Sequence, residues 1–454
     1  MMSRMVDNEA ARILAGSLGL FYTGEQDETE LVTLRGYLDR DAGWARLQTL
    51  DEQDAPLFPG PSAPDQILGR VATTSVLLLE IPPPATSRSL AGQRVSTRTY
   101  RARTVVADVP VDRLLTNRVS LLQAEFLGIT HWAGLQPVFT ESDHDDAGRV
   151  TGYRLALSSQ EPLTVAITRS RTLELSVDWS VTGSPDTPSV YAPVTVTCRA
   201  RRPRQAWELL QPLLRVQELI SLAHSGFTAA TGGKCVPHLA PRGGEPDQFA
   251  APDDHLLRRP MWNGALMIPS PATASIKPAS VPAFGIESLG GIAGLRRWIA
   301  LTESHDRATA VLTEPYRLGQ TSAGSTLRSA ANGIEYWVAA HRRTASWTQL
   351  PKGTKKASPA KAMARHAGIH FKRWVGDPDR WAEDFWDSYN ALKHDPSFLI
   401  DQPQLRELAE SGRYLLASVL LDRVGRSRTP SSHLLNSGRI YQLGFALRQR
   451  YGLP

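Results

Sequence analysis

The sequence predicts an α+β multidomain protein, with a β-rich N-terminal half and an α-helical C-terminal half. Short aliphatic and β-branched runs, separated by Gly, Pro and Asp, fill roughly the first 200 residues. From Arg204 onward, apolar residues recur at helical spacing. A chain of 454 residues is also longer than one ordinary domain. We therefore expect three regions, at residues 1–200, 201–284 and 285–454.

The N-terminal strands predict a sandwich or barrel-like module. Residues 31–38 precede a turn, and residues 67–71 lead into the aliphatic run 76–79. Residues 121–127 are interpreted as a short helix crossing the sheet. Further strands are predicted at residues 103–109, 153–157, 163–168, 173–179 and 194–198.

The pattern after Arg204 predicts helices. The first has a buried stripe formed by Trp207, Leu210, Leu214, Leu219 and Leu222. The interval 231–282 is rich in Gly, Pro and His, which predicts loops and a few short strands. Later helices are predicted at residues 285–305, 307–318, 322–344, 359–375, 378–393, 403–424 and 434–448.

Composition limits the class of protein. A hydrophobic content of 41% with 21% charged residues is typical of a folded protein. The apolar runs are too short for a membrane span or a signal peptide. Two cysteines, Cys198 and Cys235, are too few for a disulfide scaffold or a structural zinc site. We expect buried or idle thiols in a cytoplasmic protein that needs no cofactor and no metal.

A net charge of +6 favours polyanionic partners only weakly, but the distribution of charge is informative. Residues 341–376 contain nine Lys or Arg and no Asp or Glu. The stretch is interpreted either as a solvated loop and helix face or as a nucleic-acid contact surface. Its candidate contacts are Arg342, Arg343, Lys361, Arg365, Lys372 and Arg373, with Trp347, Phe371 and Trp374 interleaved.

Residues 388–394, Ser-Tyr-Asn-Ala-Leu-Lys-His, contain the strongest catalytic candidates. Cleavage of RNA without a metal needs a base, an acid and a cation for the charge on the phosphate. His394 titrates near neutrality and suits proton transfer, and Lys393 supplies charge. Asn390 lies one helical turn before His394 and could hold its ring or a phosphate oxygen. Alternatively, His394 only interacts with the dipole at the end of its helix.

Several segments, in this order, resemble the ApeA family of anti-phage proteins. These proteins combine a β-rich N-terminal domain with a HEPN (higher eukaryotes and prokaryotes nucleotide-binding) helical domain. The resemblance covers residues 30–225 and 285–425. Its N-terminal part rests on Leu-Arg-Gly-Tyr-Leu at 34–38, Ile-Leu-Gly-Arg at 67–70 before 76–79, Ala-Glu-Phe-Leu-Gly-Ile-Thr-His-Trp at 124–132, and the helical stretch 206–223.

Two C-terminal segments resemble HEPN helices. Residues 331–336, Ala-Asn-Gly-Ile-Glu-Tyr, resemble a helix that carries a buried acidic residue, here Glu335. Residues 388–394 resemble the catalytic helix, in which family nucleases carry an Arg before a polar residue and the His. Asn390, Lys393 and His394 match this pattern. The Arg position falls at residues 387–389, Asp-Ser-Tyr, so the Arg is absent.

The resemblance implies a two-part defence protein. The β-rich domain would sense a phage-derived or cellular trigger, and the HEPN-like domain would cleave or bind RNA such as tRNA. The implied activity is that of a metal-independent endoribonuclease in which Glu335 orients the cleft residues. A homo-oligomer formed through the HEPN-like domain could supply the missing cation as Arg373, Arg380 or Lys393. The alternative is a non-catalytic HEPN fold that binds nucleic acid or serves regulation or dimerisation.

Overall fold

The computed structural model describes residues 8–23, 32–51, 63–88, 96–184, 187–239, 257–277, 280–319, 321–395, 397 and 401–452. Its contacts define two compact units. The β unit comprises residues 1–127, 136–217 and 229–268, and the helical unit comprises residues 128–135, 218–228 and 269–454. The predicted α+β class is confirmed, because the N-terminal part is a large antiparallel sheet and the C-terminal part is helical.

The strands of the β unit are numbered along the chain. They are β1 (Ser17–Thr23), β2 (Val32–Asp41), β3 (Trp44–Asp51), β4 (Gln66–Val71), β5 (Thr74–Leu79), β6 (Ala85–Arg88), β7 (Ser96–Ala102), β8 (Thr104–Ala107), β9 (Leu114–Phe126), β10 (Val138–His144), β11 (Val150–Leu157), β12 (Leu163–Ala166), β13 (Arg171–Val177), β14 (Ser180–Ser184), β15 (Thr187–Tyr191), β16 (Val194–Gln205), β17 (Ala230–Leu239) and β18 (Arg259–Asn263).

Fourteen of these described strands form one sheet, in the order β12-β13-β16-β9-β17-β18-β8-β5-β4-β1-β2-β3-β7-β6. The strands β10 and β11 form a separate hairpin, as do β14 and β15. One face of the sheet packs around a core that includes Phe21, Leu38, Leu47 and Trp262. Strands such as β3, with Ala45 and Leu47, and β5, with Val76 and Leu78, contribute alternate side chains to this core, which is the period that a sheet imposes.

The predicted short helix at residues 121–127 is wrong, because this segment is part of β9. This strand lies between β16 and β17, with Ala124 opposite Val196 on one side and Gly233 on the other. The adjacent Leu121 and Leu122 are both buried, so both faces of the strand are covered. A strand covered on both faces loses its alternating pattern, and its sequence then resembles that of a buried helix.

The interval 231–282, predicted to form loops and a few short strands, supplies two inner strands of the sheet. Strand β17 pairs with β9, placing Cys235 opposite Leu122. Strand β18 pairs with β17 and with β8, where Met261 lies opposite Val106. The two strands therefore lie between β9 and β8 and join the two parts of the sheet. Only short parts of the interval have a strand-like sequence.

The helices are also numbered along the chain. They are α1 (Glu9–Ile13), α2 (Ile129–Ala133), α3 (Ala206–His224), α4 (Gly264–Met267), α5 (Ile292–Ser304), α6 (Asp306–Leu318), α7 (Ala323–His341), α8 (Pro359–Ala367), α9 (Ile369–Val375), α10 (Pro378–His394), α11 (Gln402–Gly425), α12 (Thr429–Leu435) and α13 (Tyr441–Tyr451).

Within the β unit, the buried stripe of α3 differs from the predicted one. Leu210 is buried as expected, but Leu213 and Val216 continue the stripe. Trp207 is 49% exposed, so its predicted burial is wrong. Its indole Nε1 donates a hydrogen bond of 2.8 Å to Oε1 of Gln205.

A proline interrupts the hydrogen bonding of α3. Because Pro212 has no N–H, the carbonyl of Glu208, four residues earlier, lacks its usual helical donor. Nη1 of Arg171, on β13, donates to this carbonyl at 2.9 Å. The arginine therefore satisfies an acceptor that the helix leaves unpaired, and it joins β13 to the first turn of α3.

In the helical unit, glycines allow α7, α10 and α11 to approach closely. A Cβ at Gly333 of α7 would lie 2.8 Å from Cδ2 of Leu416 on α11. A Cβ at Gly412 of α11 would lie 2.4 Å from the ring of Phe385 on α10. Both distances are shorter than normal contacts, so a side chain at either position would force Leu416 or the ring of Phe385 to move.

The predicted helix at residues 359–375 is two helices, α8 and α9, separated by Gly368. The backbone of Gly368 has a φ of +77°, a value that residues with a side chain rarely adopt. This conformation ends the first helix. The aromatic residues of α9 point inward, since Phe371 and Trp374 are buried. The break therefore changes the direction of the chain so that α9 can bury this face.

Both cysteines are buried free thiols, as predicted. Burial raises the pKa of each thiol, to about 12 for Cys198, so that both stay protonated at neutral pH. In the described part of the chain, no helix combines the length and apolar character that a membrane span requires.

We predict that Gly412→Ala destabilises the protein. The new methyl group would overlap the ring of Phe385, and overpacking of this kind costs about 1–3 kcal/mol, more than alanine gains in helix propensity. The control is Gly438→Ala, because a Cβ at Gly438 meets nothing within 4 Å. Chemical denaturation measures both; equal stability of the two variants would contradict close packing at Gly412.

Candidate functional site

The candidate catalytic residues lie at the C-terminal end of α10. The helix begins after Asp377, whose carboxylate accepts hydrogen bonds from the backbone N–H groups of Asp379 and Arg380 at 2.9 and 3.2 Å. Pro378 occupies the first turn, where a missing N–H is harmless. Residues Trp381 and Phe385 bury one face, so the exposed end of the helix has a fixed orientation within the helical unit.

Asn390, Lys393 and His394 are all exposed in the last turn and a half of α10. His394 makes no hydrogen bond or ion pair with the residues that the structure describes. Nζ of Lys393 lies 5.6 Å from the centre of the Tyr389 ring, within the range of a cation–π contact. The three side chains share one solvent-facing helix end and are open to a ligand.

The three positions where the family Arg could fall differ in environment. Asp387 is exposed and forms an ion pair of 2.8 Å with Lys356. Ser388 and Tyr389 are buried, and the hydroxyl of Tyr389 donates to Oδ1 of Asn332 on α7 at 3.1 Å. An arginine at 388 or 389 would have to enter the packed face between α10 and α7, so the absent guanidinium has no direct substitute there.

Glu335 does not fulfil the expectation of a buried acidic residue, because its side chain is exposed. The buried face of α7 contains Ala331, Ile334 and Val338 instead. Glu335 makes no hydrogen bond or ion pair with the described residues, including His394. The structure brings Asn390, Lys393 and His394 together but does not join Glu335 to them.

Lys361, predicted to contact nucleic acid, is instead a structural residue. Its side chain is only 5% exposed, and Nζ forms an ion pair of 2.8 Å with Glu383 on α10. The same Nζ donates to the backbone carbonyl of Lys355 at 3.0 Å. A buried ammonium held by these partners is not accessible to a phosphate, so this assignment is corrected.

Arg365 is also paired with α10. Its guanidinium forms two hydrogen bonds with the carboxylate of Asp379, at 2.9 and 2.5 Å, and the hydrogen bond lowers the pKa of this carboxyl. Asp379, Glu383 and Asp387 are spaced four residues apart and lie on one face of α10. These carboxylates pair with Arg365, Lys361 and Lys356, and we call the three ion pairs the carboxylate ladder.

Four predicted contact residues remain available: Arg342, Arg343, Lys372 and Arg373. All four side chains are exposed and make no hydrogen bond or ion pair with the residues that the structure describes. The interleaved aromatic residues are less accessible, because Phe371 and Trp374 are buried and Trp347 stacks on His366 at 4.3 Å. Contact with a polyanion would therefore rely on charge more than on stacking.

The helical unit also contains a chain of neighbouring rings that is not predicted from the sequence. His341 lies 4.1 Å from Trp337 and 5.6 Å from His305 between ring centres. Nδ1 of His341 is 2.9 Å from the carbonyl of Trp337 and donates to it. Tyr336, Trp337 and His341 are neighbours on α7, but His305 and His366 come from distant parts of the chain, so no local signal marks the whole group. We call it the ring cluster, and it consists of His305, Tyr336, Trp337, His341, Trp347 and His366.

Two histidines of the ring cluster are held neutral. Burial, together with the charges of Arg428 and His341, lowers the pKa of His366 to about 4. Burial also lowers the pKa of His305, together with the charges of His341 and Arg423. Arg423 lies 5.6 Å from the centre of the Trp337 ring. The cluster therefore favours uncharged imidazoles beside fixed positive charge.

Within the described residues, no group of three or more His, Cys, Asp or Glu side chains has a geometry that could hold a metal ion. The chemistry available at the end of α10 is proton transfer by an imidazole together with stabilisation of negative charge by an ammonium.

Residues 17–234 match the family model of ApeA N-terminal domain 1. The match spans slightly less than half of the chain and supports an ApeA-like family for this protein, and with it anti-phage defence at the level of the family. No curated protein matches the chain, and no solved structure does. The predicted resemblance to ApeA is confirmed for the N-terminal part, whereas the HEPN-like character of the helical part stays a prediction.

We predict that Lys361→Met lowers the free energy of unfolding without directly removing a nucleic-acid contact. The substitution leaves Glu383 without its ammonium partner, and a hydrogen bond between charged groups contributes about 1.5–3 kcal/mol. The control is Lys372→Met, which removes an exposed charge and is expected to change stability by less than about 0.5 kcal/mol. Urea denaturation tests both, and equal stability would contradict the structural role.

We predict that acid destabilises the helical unit in part through His366. An unfolded histidine has a pKa of about 6.5, whereas the pKa of His366 in the folded protein is about 4. Between these values the unfolded state binds a proton that the folded state does not, so stability falls as pH decreases from about 6.5 towards 4. His366→Gln should make this fall shallower in denaturation curves recorded across that range. His433→Gln, an exposed histidine, should leave it unchanged.

Proposed function

We propose that this protein is an ApeA-like anti-phage protein whose helical unit acts on RNA such as tRNA. In this proposal the β unit senses a phage-derived or cellular trigger and the helical unit cleaves RNA to stop infection. The family match supports the defence role. The open, unpartnered imidazole of His394 next to Lys393 and Asn390 is the observation that supports cleavage.

Cleavage would proceed without a metal. The imidazole of His394 accepts the proton of the 2′-hydroxyl, whose oxygen attacks the adjacent phosphorus, while the bond to the leaving 5′-oxygen breaks. The leaving oxygen takes a proton from a second acid or from water. The ammonium of Lys393 stabilises the extra negative charge on the phosphate, and the amide of Asn390 binds a phosphate oxygen or the imidazole.

The missing arginine makes a second copy of the chain part of this proposal. The guanidinium groups of Arg373 and Arg380 are exposed and make no hydrogen bond or ion pair with the described residues, so either could be supplied to a partner. If two α10 helices packed together, the cation absent at residues 387–389 could come from the other protomer as Arg373, Arg380 or Lys393. The cleft is then complete only in the dimer.

A specific observation favours a second function. Tyr389 is buried and bonded to Asn332 at the place where an arginine would be needed. A helix that uses this position for packing suits a degenerate HEPN-like fold that binds nucleic acid, regulates or dimerises without cleaving. The exposed cations Arg342, Arg343, Lys372 and Arg373 serve either function by contacting phosphates.

We predict that His394→Ala abolishes both RNA cleavage and growth arrest in cells challenged with phage, because α10 contains no other histidine that could transfer the proton. The matched control is His144→Ala, which removes an exposed histidine from the β unit. Cell growth and tRNA integrity are measured together with the binding of labelled tRNA. Full toxicity of His394→Ala contradicts the catalytic role. A wild type that binds tRNA but leaves it intact under challenge favours the second function.

The binding step has its own test. Arg342→Gln combined with Arg343→Gln should weaken RNA binding and flatten its dependence on salt, since fewer counterions are released. The charge-matched control combines Arg296→Gln with Arg406→Gln, two exposed arginines on α5 and α11 outside the basic stretch. Fluorescence anisotropy at several salt concentrations distinguishes the variants, and an unchanged salt slope in the double variant would contradict these phosphate contacts.

A further inference from the structure

The β unit contains a pocket that the proposed function does not use. It has a volume of about 420 Å³, within the range of small-molecule sites. It lies where β16 ends and α3 begins. Its walls are formed by Arg118, Arg202, Pro203, Arg204, Gln205 and Glu208.

An irregularity of β16 creates this pocket. Arg199 of β16 pairs with Leu121 of β9, and the next paired residue of β16 is Arg204, opposite Val119. Five residues along β16 therefore correspond to only two along β9, so the residues between Arg199 and Arg204 bulge out of the ladder. Pro203 lies in the bulge, where a proline costs no ladder hydrogen bond. At this irregularity, Arg202 and Arg204 of β16 line the pocket together with Arg118 of β9.

The charge of the pocket is strongly positive. Three of its six wall residues are arginines, against one carboxylate, that of Glu208, which lies 3.6 Å from Arg204. Arg202 is exposed and makes no hydrogen bond or ion pair with the described residues. Arg118 is the cross-strand partner of Gln205, and both side chains belong to the pocket. The wall therefore carries more cationic charge than its own residues neutralise.

Two neighbouring features match the same kind of ligand. The pocket lies at the N-terminal end of α3, a helix of 19 residues whose unpaired N–H groups add positive potential. The exposed indole of Trp207 is tied to the wall through its hydrogen bond with Gln205. The surroundings thus combine forked cationic donors with a flat aromatic face.

We propose that this pocket binds the phosphate group of a nucleotide, with Trp207 available to stack on the base. Guanidinium groups match phosphate oxygens with paired hydrogen bonds, and several of them suit a dianionic phosphate better than a single carboxylate. Stacking on an aromatic side chain is the usual way in which proteins hold a base without reading its sequence. The phosphate belongs to a free nucleotide or to the 5′ end of a nucleic-acid strand.

Isothermal titration of the full chain tests this site. The probes are ATP and a short single-stranded oligonucleotide with or without a 5′-phosphate. We expect ATP, or the phosphorylated oligonucleotide in preference to the unphosphorylated one, to bind the wild type. We expect Arg202→Gln to weaken that binding about ten-fold, the effect of losing a charged hydrogen bond. Binding of ATP assigns a free nucleotide, and binding only of the 5′-phosphorylated strand assigns a strand end.

The matched control is Arg201→Gln, because Arg201 is exposed and adjacent in sequence but is not part of the wall. Equal weakening by Arg201→Gln would show a general charge effect and overturn the proposal. It is also overturned if the wild type binds neither ATP nor the 5′-phosphorylated strand preferentially, or binds a poly-glutamate peptide as tightly as ATP.

Melting curves verify that Arg202→Gln is folded, and Arg202→Lys should retain more binding than Arg202→Gln. The Arg342→Gln and Arg343→Gln double variant should keep the preference for the phosphorylated probe, which separates this site from RNA binding by the helical unit.

Discussion

The carboxylate ladder on α10 determines how the basic part of the helical unit is organised. Each of its three carboxylates pairs with a cation from residues 356–365, and the central pair, Lys361 with Glu383, is largely buried. The pairs hold α8 and the segment before it against the helix that ends in His394. Because these cations are neutralised locally, the exposed cations of the basic stretch that stay available for a polyanion are those at 342, 343, 352, 355, 372 and 373. The ladder thus divides the basic residues into those that stabilise the helical packing and those that can bind a polyanion.

The fold class could be predicted from the sequence, because the change from strand-like runs to helical spacing is a local property. The path of β9 could not. Leu121 and Leu122 are both buried because β16 and β17 flank the strand in a covered part of the sheet, and that burial removes the alternation a strand normally shows. The helix break at Gly368 could not be predicted either, because a single glycine within an apolar pattern does not indicate that its backbone has a positive φ.

The candidate site could be predicted in part. Asn390, Lys393 and His394 share a helix end because their spacing alone requires it. The burial of Lys361 and the exposure of Glu335 depend on which helix packs on which face, and the partner of Lys361 lies 22 residues away. The ring cluster was missed for the same reason. Contacts between distant segments decide whether a charged or aromatic residue meets solvent or protein, and no local pattern records them.

The hydrogen bond from Arg171 to the carbonyl of Glu208 has a consequence for how this domain can vary among related sequences. Pro212 leaves that carbonyl without a donor, and the arginine satisfies it from a neighbouring strand. A residue with an N–H at 212 would compete for the same oxygen, and loss of the arginine would leave the oxygen unpaired. Positions 171 and 212 are therefore expected to change together. A proline at 212 should be accompanied by a long side chain at 171 that can donate a hydrogen bond.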